Sequence, residues 1–212
     1  MAAGTAPGRS SLAQRARPLT AKRTLSDRAS ALPALAEAFR EHGFEGASLT
    51  ILSQATGLGK GSLYNFFPGG KEEMLAAVLA DIHAWFATHL FDPLERSDDP
   101  RAAIRSMIEQ VTAYFRSGQR VCLVGSISLG ASGGGFSHRV SAYFARWITA
   151  LAECLERGRV APTAARAFAE ETVCAIQGAI ILSRALGDEA IFGSIVGRQE
   201  KVLLDAMAAN RS

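Results

Sequence analysis

Lys60, Ser62, Tyr64 and Asn65 carry charged or hydrogen-bonding side chains, and they alternate with the apolar residues Leu63, Phe66 and Phe67 in one short stretch. Wound into a helix over residues 60–67, the apolar set faces inward and the polar set outward. Such a face suits contact with nucleic acid better than bond making. A lysine and an asparagine reach base edges, while serine and tyrosine hydroxyls donate to phosphate oxygens. Gly59 and Gly61 leave room at the helix start for a sugar-phosphate backbone. A surface helical hairpin with a polar outer side would show the same pattern, so the apolar spacing alone leaves both readings open.

These side chains need a second helix in front of them and a tight turn between the two. Ser48 is placed to cap a helix with Leu49, Leu52 and Ala55 on its inner side, Gly57 supplies the left-handed residue that stops it, and Leu58 plugs the turn. An earlier helix ends at His42, with Gly43 as its stop and Leu35, Ala38 and Phe39 facing inward. Pro33 sits inside it. A proline within a helix costs ~3 kcal/mol, so the helix either starts near Ser30 or is kinked there.

The run GLGKGSLYNFFPGGKEEM is similar to the DNA-binding segment of TetR-type transcriptional regulators, in its Leu63 and Tyr64 pair, its Phe67 and Pro68, and the Lys71 that follows. The resemblance covers residues 24–79. The wording from Phe67 through Pro68, Gly69, Gly70, Lys71 and Glu72 to Glu73 most resembles the drug- and flavonoid-responsive repressors related to LmrA and YxaF. The resemblance implies an all-α fold with an N-terminal three-helix helix-turn-helix DNA-binding domain at 24–70. A C-terminal helical ligand-binding and dimerisation domain would follow at 71–212, and a disordered basic arm would precede both at 1–23. The DNA-contacting candidates are Ser48, Thr50, Gly59, Lys60, Gly61, Ser62, Tyr64, Asn65 and Lys71. TetR-type regulators generally begin the first helix earlier than Pro33 would allow.

Composition fits a helical chain long enough to bury a core, since Leu, Ala, Glu and Arg dominate and period-2 alternation is nearly absent. A net charge of +3 is too small to argue nucleic-acid binding for the whole surface. Its distribution says more: Arg9, Arg15, Arg17, Lys22, Arg23 and Arg28 face only Asp27 in the first thirty residues. The chain start does not read as a secretory signal, and no run has the ~18 apolar residues of a membrane span. Cys122, Cys154 and Cys174 are odd in number and lack metal-type spacing, which suits a reducing cytoplasm.

Beyond residue 71, periodicity predicts a helix over 71–90 with Leu75, Val78, Leu79, Ile82, Trp85 and Phe86 on one side, broken by Pro93. Asp99 and Pro100 cap and open the next, striped by Ile104, Met107, Ile108, Val111 and Phe115 and ended by Gly118. A loose glycine joint at 130–135 precedes a helix over 137–157 that carries Val140, Phe144, Trp147, Ile148, Leu151 and Leu155. The glycine joint lacks the Lys-Ser or Lys-Thr of a phosphate-binding loop. Two last helices, 163–186 and 189–209, are joined by Gly187 and Asp188 and so run antiparallel. The stretch 173–182 is apolar nearly all round, so a second copy of the chain is expected to cover one side, with Gly178, Ile181, Ile195 and Val202 at the interface.

No acid, base and nucleophile converge, and His42, His83, His89 and His138 are scattered, so the expectation is no enzyme, no metal and no cofactor. The aromatic and sulfur-bearing residues are chiefly core. The resemblance implies that some line a ligand cavity, the candidates being Trp85, Phe86, Met107, Tyr114, Phe115, Cys122, Tyr143, Phe144, Trp147 and Gln177. Cys122 is alternatively a redox sensor. The leading function is then a homodimeric repressor of operator DNA released by a small, largely apolar or aromatic effector. The alternatives are a constitutive architectural DNA-binding protein, or a helical sensor or enzyme that keeps the helix-turn-helix as scaffold.

Overall fold

The computed structural model describes residues 27–130 and 133–209. The expected basic arm at 1–23 lies outside the described residues. Those described form an all-α protein without a strand, built on one continuous hydrophobic core.

Helix α1 (Arg28–Gly46) starts at Asp27, whose carboxylate accepts the Ser30 N–H at 2.7 Å. Pro33 is tolerated inside it because it lies on the exposed side; Ala29, whose carbonyl the proline leaves without an amide partner, is exposed too. The helical path breaks at Gly43, the expected stop, where φ is +66°, and a further turn carries it to Gly46. Leu35, Ala38 and Phe39 are buried, as their spacing implies.

Next come α2 (Leu49–Thr56) and α3 (Lys60–Phe66); α3 packs on α2, α2 on α1, and α1 on α4 (Gly70–Phe86). Helix α4 does not stop at Pro93. A wide π turn over Ala87–Phe91 brings the Asp92 N–H to the Ala87 carbonyl, and α5 (Asp92–Arg96) carries the same path onward. The wide turn shifts the backbone the proline ring would otherwise strike, and Pro93 sits in the first turn of α5, where its missing N–H costs nothing. By length and composition the stretch Gly70–Arg96 would suffice to cross a membrane. Here its apolar residues Met74, Leu75, Val78, Leu79, Ile82 and Phe86 form the spine of the core, which joins the front helices to the rear ones.

Asp99 caps α6 (Pro100–Tyr114) by accepting the Arg101 and Ala102 N–H groups at 3.0 and 3.1 Å. This helix ends at Tyr114, short of Gly118, because Arg116, Ser117 and Gly118 take left-handed φ values of 50°, 51° and 88° in succession. Short α7 (Leu123–Ser128) follows, and α8 (Gly133–Arg157) absorbs Gly133, Gly134 and Gly135 from the expected glycine joint. Arg146 on α8 bonds Asp92 at 2.8 Å and Glu95 at 2.9 Å, which pins α5 to α8. The antiparallel pair α9 (Pro162–Leu186) and α10 (Glu189–Ala209) turns at Gly187, φ +66°.

Candidate nucleic-acid interface and small-molecule groove

The turn between α2 and α3 is built by side-chain hydroxyls as well as by glycine. Ser48 Oγ accepts the Ile51 N–H at 3.3 Å, and Gly57 holds φ +70°. Ser53 donates to the Leu58 carbonyl at 2.6 Å, while Thr56 donates to the Leu52 carbonyl at 2.8 Å and accepts the Leu58 N–H at 3.3 Å. Thr56 is therefore the buried residue of this helix end. Ala55, expected inside, is exposed. A run of small residues does not show which of two neighbours turns inward; the hydroxyl decides, because it satisfies the turn's backbone.

On α3, Leu63 and the following Phe67 are fully buried and Phe66 half so, leaving Lys60, Gly61, Ser62, Tyr64 and Asn65 outside. Tyr64 is 50% exposed, high for a large ring on a folded helix. Gly59 begins the helix without a side-chain cap, so its first N–H groups remain available to an anion. Ser48 and Thr50 are exposed on α2, beside the same turn. Lys71 differs from its expected role. Its ammonium donates to the Phe44 carbonyl at 2.9 Å and lies 4.5 Å from the Phe44 ring centre, so it ties the end of α1 to α4.

A polar clasp that sequence reading missed joins α1 to the rear helices. Arg40, almost wholly buried, donates to the Tyr114 hydroxyl at 3.0 Å and to the Val121 carbonyl at 3.2 Å. Arg120 lies over the Tyr114 ring and binds Glu37 at 2.6 Å. Burial pushes the Glu37 carboxyl up, but the Arg120 hydrogen bond and the charges of Arg40, Arg120 and Arg116 outweigh it and hold it below its ordinary value. The available signal was the Glu37 and Arg40 pair three apart on one helix, although nothing local reveals a partner some eighty residues away.

Most ring-bearing ligand candidates prove to be packing. Phe86, Met107, Phe115 and Trp147 are fully buried, and the Phe86 ring lies 5.5 Å from Trp147 and 6.2 Å from Phe115. Trp85 stacks on His89 and leans on Tyr114, each at 4.5 Å, and the Tyr114 hydroxyl faces Arg40 rather than a cavity. Tyr143 lines a smaller cavity of about 260 Å³ with His83, Val124 and His138. Cys122, Phe144 and Gln177 are brought together. They share a groove of about 560 Å³ with Val121, Gly125, Leu129, Ile180, Ile181, Arg184 and Ala185. Such a volume matches a drug-sized molecule. A concavity of similar size, about 570 Å³, has a mainly charged wall of Asp98, Asp99, Arg101, Arg157 and Arg159, with Pro100 and Met207 as its apolar side chains. Among the described residues, buried Tyr143 Oη, Trp147 Nε1 and Gln177 Nε2 find no oxygen or nitrogen partner, and Gln177 stands in the groove wall. Burial pushes the Cys122 thiol up, against the pull of Gly125 and Gln177, so it stays protonated and poorly nucleophilic, which argues against the redox reading.

On the outer side of α9 and α10, Ile181, Leu182, Leu186 and Val202 are 60, 45, 68 and 41% exposed. Gly178, Gly193 and Gly197 have open space where a Cβ would stand. Ile195, expected beside them, instead packs partly against its own core.

Two family models match the chain. Residues 32–78 match the tetR family of bacterial regulatory proteins, and residues 100–197 match the C-terminal domain of LmrA/YxaF-like transcriptional regulators. These are families of transcriptional regulators, not of enzymes. The HTH-type regulator LmrA of Bacillus subtilis is 29% identical over 84 residues, 40% of this chain and 45% of LmrA, so the match spans less than half of that relative. A TetR regulator from Legionella pneumophila superposes with a TM-score of 0.72 at 19% identity, over 82% of this chain and 95% of that one. A cysteine variant of the regulator CifR, complexed with a 26-base-pair operator, gives 0.67 at 24% identity over 82% and 96%.

Proposed function

Since the chain belongs to the TetR family of transcriptional regulators, we propose that it represses from a duplex operator read by α3 and leaves that operator when a small, largely apolar or aromatic effector enters the groove beside Cys122. The observation that carries the reading is the outward set Lys60, Ser62, Tyr64 and Asn65, held rigid by the buried Leu63 and Phe67 behind it. CifR bound to its operator supports it. Residues 24–70 are then the DNA-binding unit, and 71–212 bind the effector and a second copy of the chain.

The clasp supplies the linkage. Val121 stands in the groove wall and its carbonyl accepts from Arg40 of α1, so a molecule that displaces Val121 shifts the front helices through one hydrogen bond and the Tyr114 contact. An effector moves the equilibrium only by its preference between the two arrangements, typically about 1–3 kcal/mol of coupling. Selection of duplexes from a random pool by the purified protein tests the first half. The expected product is a pseudopalindrome with half-sites one helical turn apart, bound in a strongly salt-dependent way. Recovery of unrelated sequences with equal affinity would overturn it. For the second half, effector affinity measured by calorimetry must fall by the same factor that effector lowers operator affinity.

A further inference from the structure

Arg184 stands where the apolar groove meets a second, polar cleft of about 180 Å³. Along the groove the lining is Val121, Leu129, Phe144, Ile180, Ile181 and Ala185. The cleft beyond gathers the guanidinium groups of Arg40, Arg116, Arg120 and Arg184 against the carboxylates of Glu37 and Glu41. Arg40 and Arg120 are engaged by the clasp, whereas Arg184 is exposed, donates to the Gln119 carbonyl, and forms no ion pair among the described residues. One end of the groove therefore offers an uncompensated cation next to an excess of positive charge. In the groove wall the buried Gln177 Nε2 meets no oxygen or nitrogen acceptor among the described residues and leans on the Cys122 thiol, a weak acceptor.

We propose that the effector is an amphipathic anion, with an aliphatic or aromatic body in the groove, an acceptor atom for Gln177, and a carboxylate, sulfonate or phosphate at the end that meets Arg184. The inference rests on the groove being the effector site. A planar guanidinium binds such an anion through paired, charge-assisted hydrogen bonds, and the apolar walls raise their strength by excluding water. The same event reaches the DNA-binding helices. Arg184 holds the carbonyl of Gln119, Arg40 holds that of Val121 and Arg120 binds Glu37, so an anion that draws Arg184 away releases one of the anchors on a single short link between α6 and α7.

Two fluorescent probes with the same rings separate the terms: anilinonaphthalene sulfonate and the neutral phenylnaphthylamine. In the wild-type protein the sulfonate should bind at least about tenfold more tightly. Arg184→Gln should erase that preference by costing the sulfonate about tenfold more than the neutral probe, while Arg184→Lys should restore part of it. Ala185→Trp, an exposed position that fills the groove mouth, should weaken both probes. Equal affinities for the two probes in the wild type, both lost in Ala185→Trp, overturn the anion and leave the groove standing. If neither probe responds to Ala185→Trp, the groove itself is wrong and the anion falls with it.

Discussion

At the scale of single residues, the proposed interface gives Lys60 and Asn65 a different part from Tyr64, although all three share one exposed face. Lysine and asparagine discriminate bases, so replacing either by alanine should relax sequence preference by about 1–3 kcal/mol at one position of the site. Tyr64→Phe removes only a hydroxyl, which in the proposed interface donates to phosphate, so it should weaken all duplexes alike; competition binding against single-base operator variants separates the outcomes, and equal losses on every duplex for all three variants would remove the base-reading assignment. Lys71→Ala should act on the fold instead, through the Phe44 carbonyl it leaves unbonded. Glu37 gives a pH test. Its folded pKa lies below its ordinary value of 4.5, so its stabilising contribution is complete above that value and is lost as pH falls through the depressed one. Glu37→Gln should flatten the loss of stability on acidification below about pH 5, followed by urea unfolding at stepped pH. An unchanged slope would show that the clasp adds no stability.

Elements were legible in the sequence where one residue settles a backbone state. Ser48 and Gly57 fix both ends of α2, and Gly187 fixes the turn from α9 to α10. Pro93 and Gly118 misled for a common reason: each was read as a local stop, while packing decided the outcome. At Pro93 the π turn lets the helix pass. Gly118 lies beyond the end of α6 and serves close approach, since a Cβ there would fall 2.9 Å from Phe192 Cβ and 3.0 Å from Ser183 Cβ, at φ +88°. Gly118→Ala should thus combine left-handed strain with overpacking and cost about 2–4 kcal/mol, read from the denaturant midpoint. A cost under 1 kcal/mol would mean that α9 and α10 yield freely there. The ligand site was legible only in part, because aromatic spacing marks what is buried without saying whether rings fill each other's space or line a void. Phe86, Phe115 and Trp147 do the first; Cys122, Phe144 and Gln177 line the groove, a distinction that depends on how α7 and α9 approach.

Over the whole molecule, the decisive surface is the outer side of α9 and α10. Ile181, Leu182, Leu186 and Val202 place branched apolar side chains in water on neighbouring antiparallel helices, and the open glycines among them let another backbone come close. In the proposed dimer a second copy of the chain covers that face through a two-fold contact in which α9 and α10 pack on their own equivalents. Such a dimer would bring two recognition helices to two half-sites together, so that a change in their spacing would cost both sets of contacts at once. Leu186→Asp and Val202→Asp are the informative variants. Both positions are exposed within one chain, so the charge is buried only if the dimer forms. Ile181 is less suitable because it also lines the groove, and Asp at Ile195 would disturb the chain's own core. The wild type should sediment as a dimer at micromolar concentration. Each aspartate variant should sediment as a folded monomer with an unchanged helical circular dichroism spectrum. Operator affinity should fall with it, because one half-site alone retains only part of the contact energy, while the groove should still take its probe. A wild-type monomer at that concentration, or aspartate variants that remain dimers, would remove α9 and α10 as the interface and with it the account of how a shift in one subunit releases both half-sites.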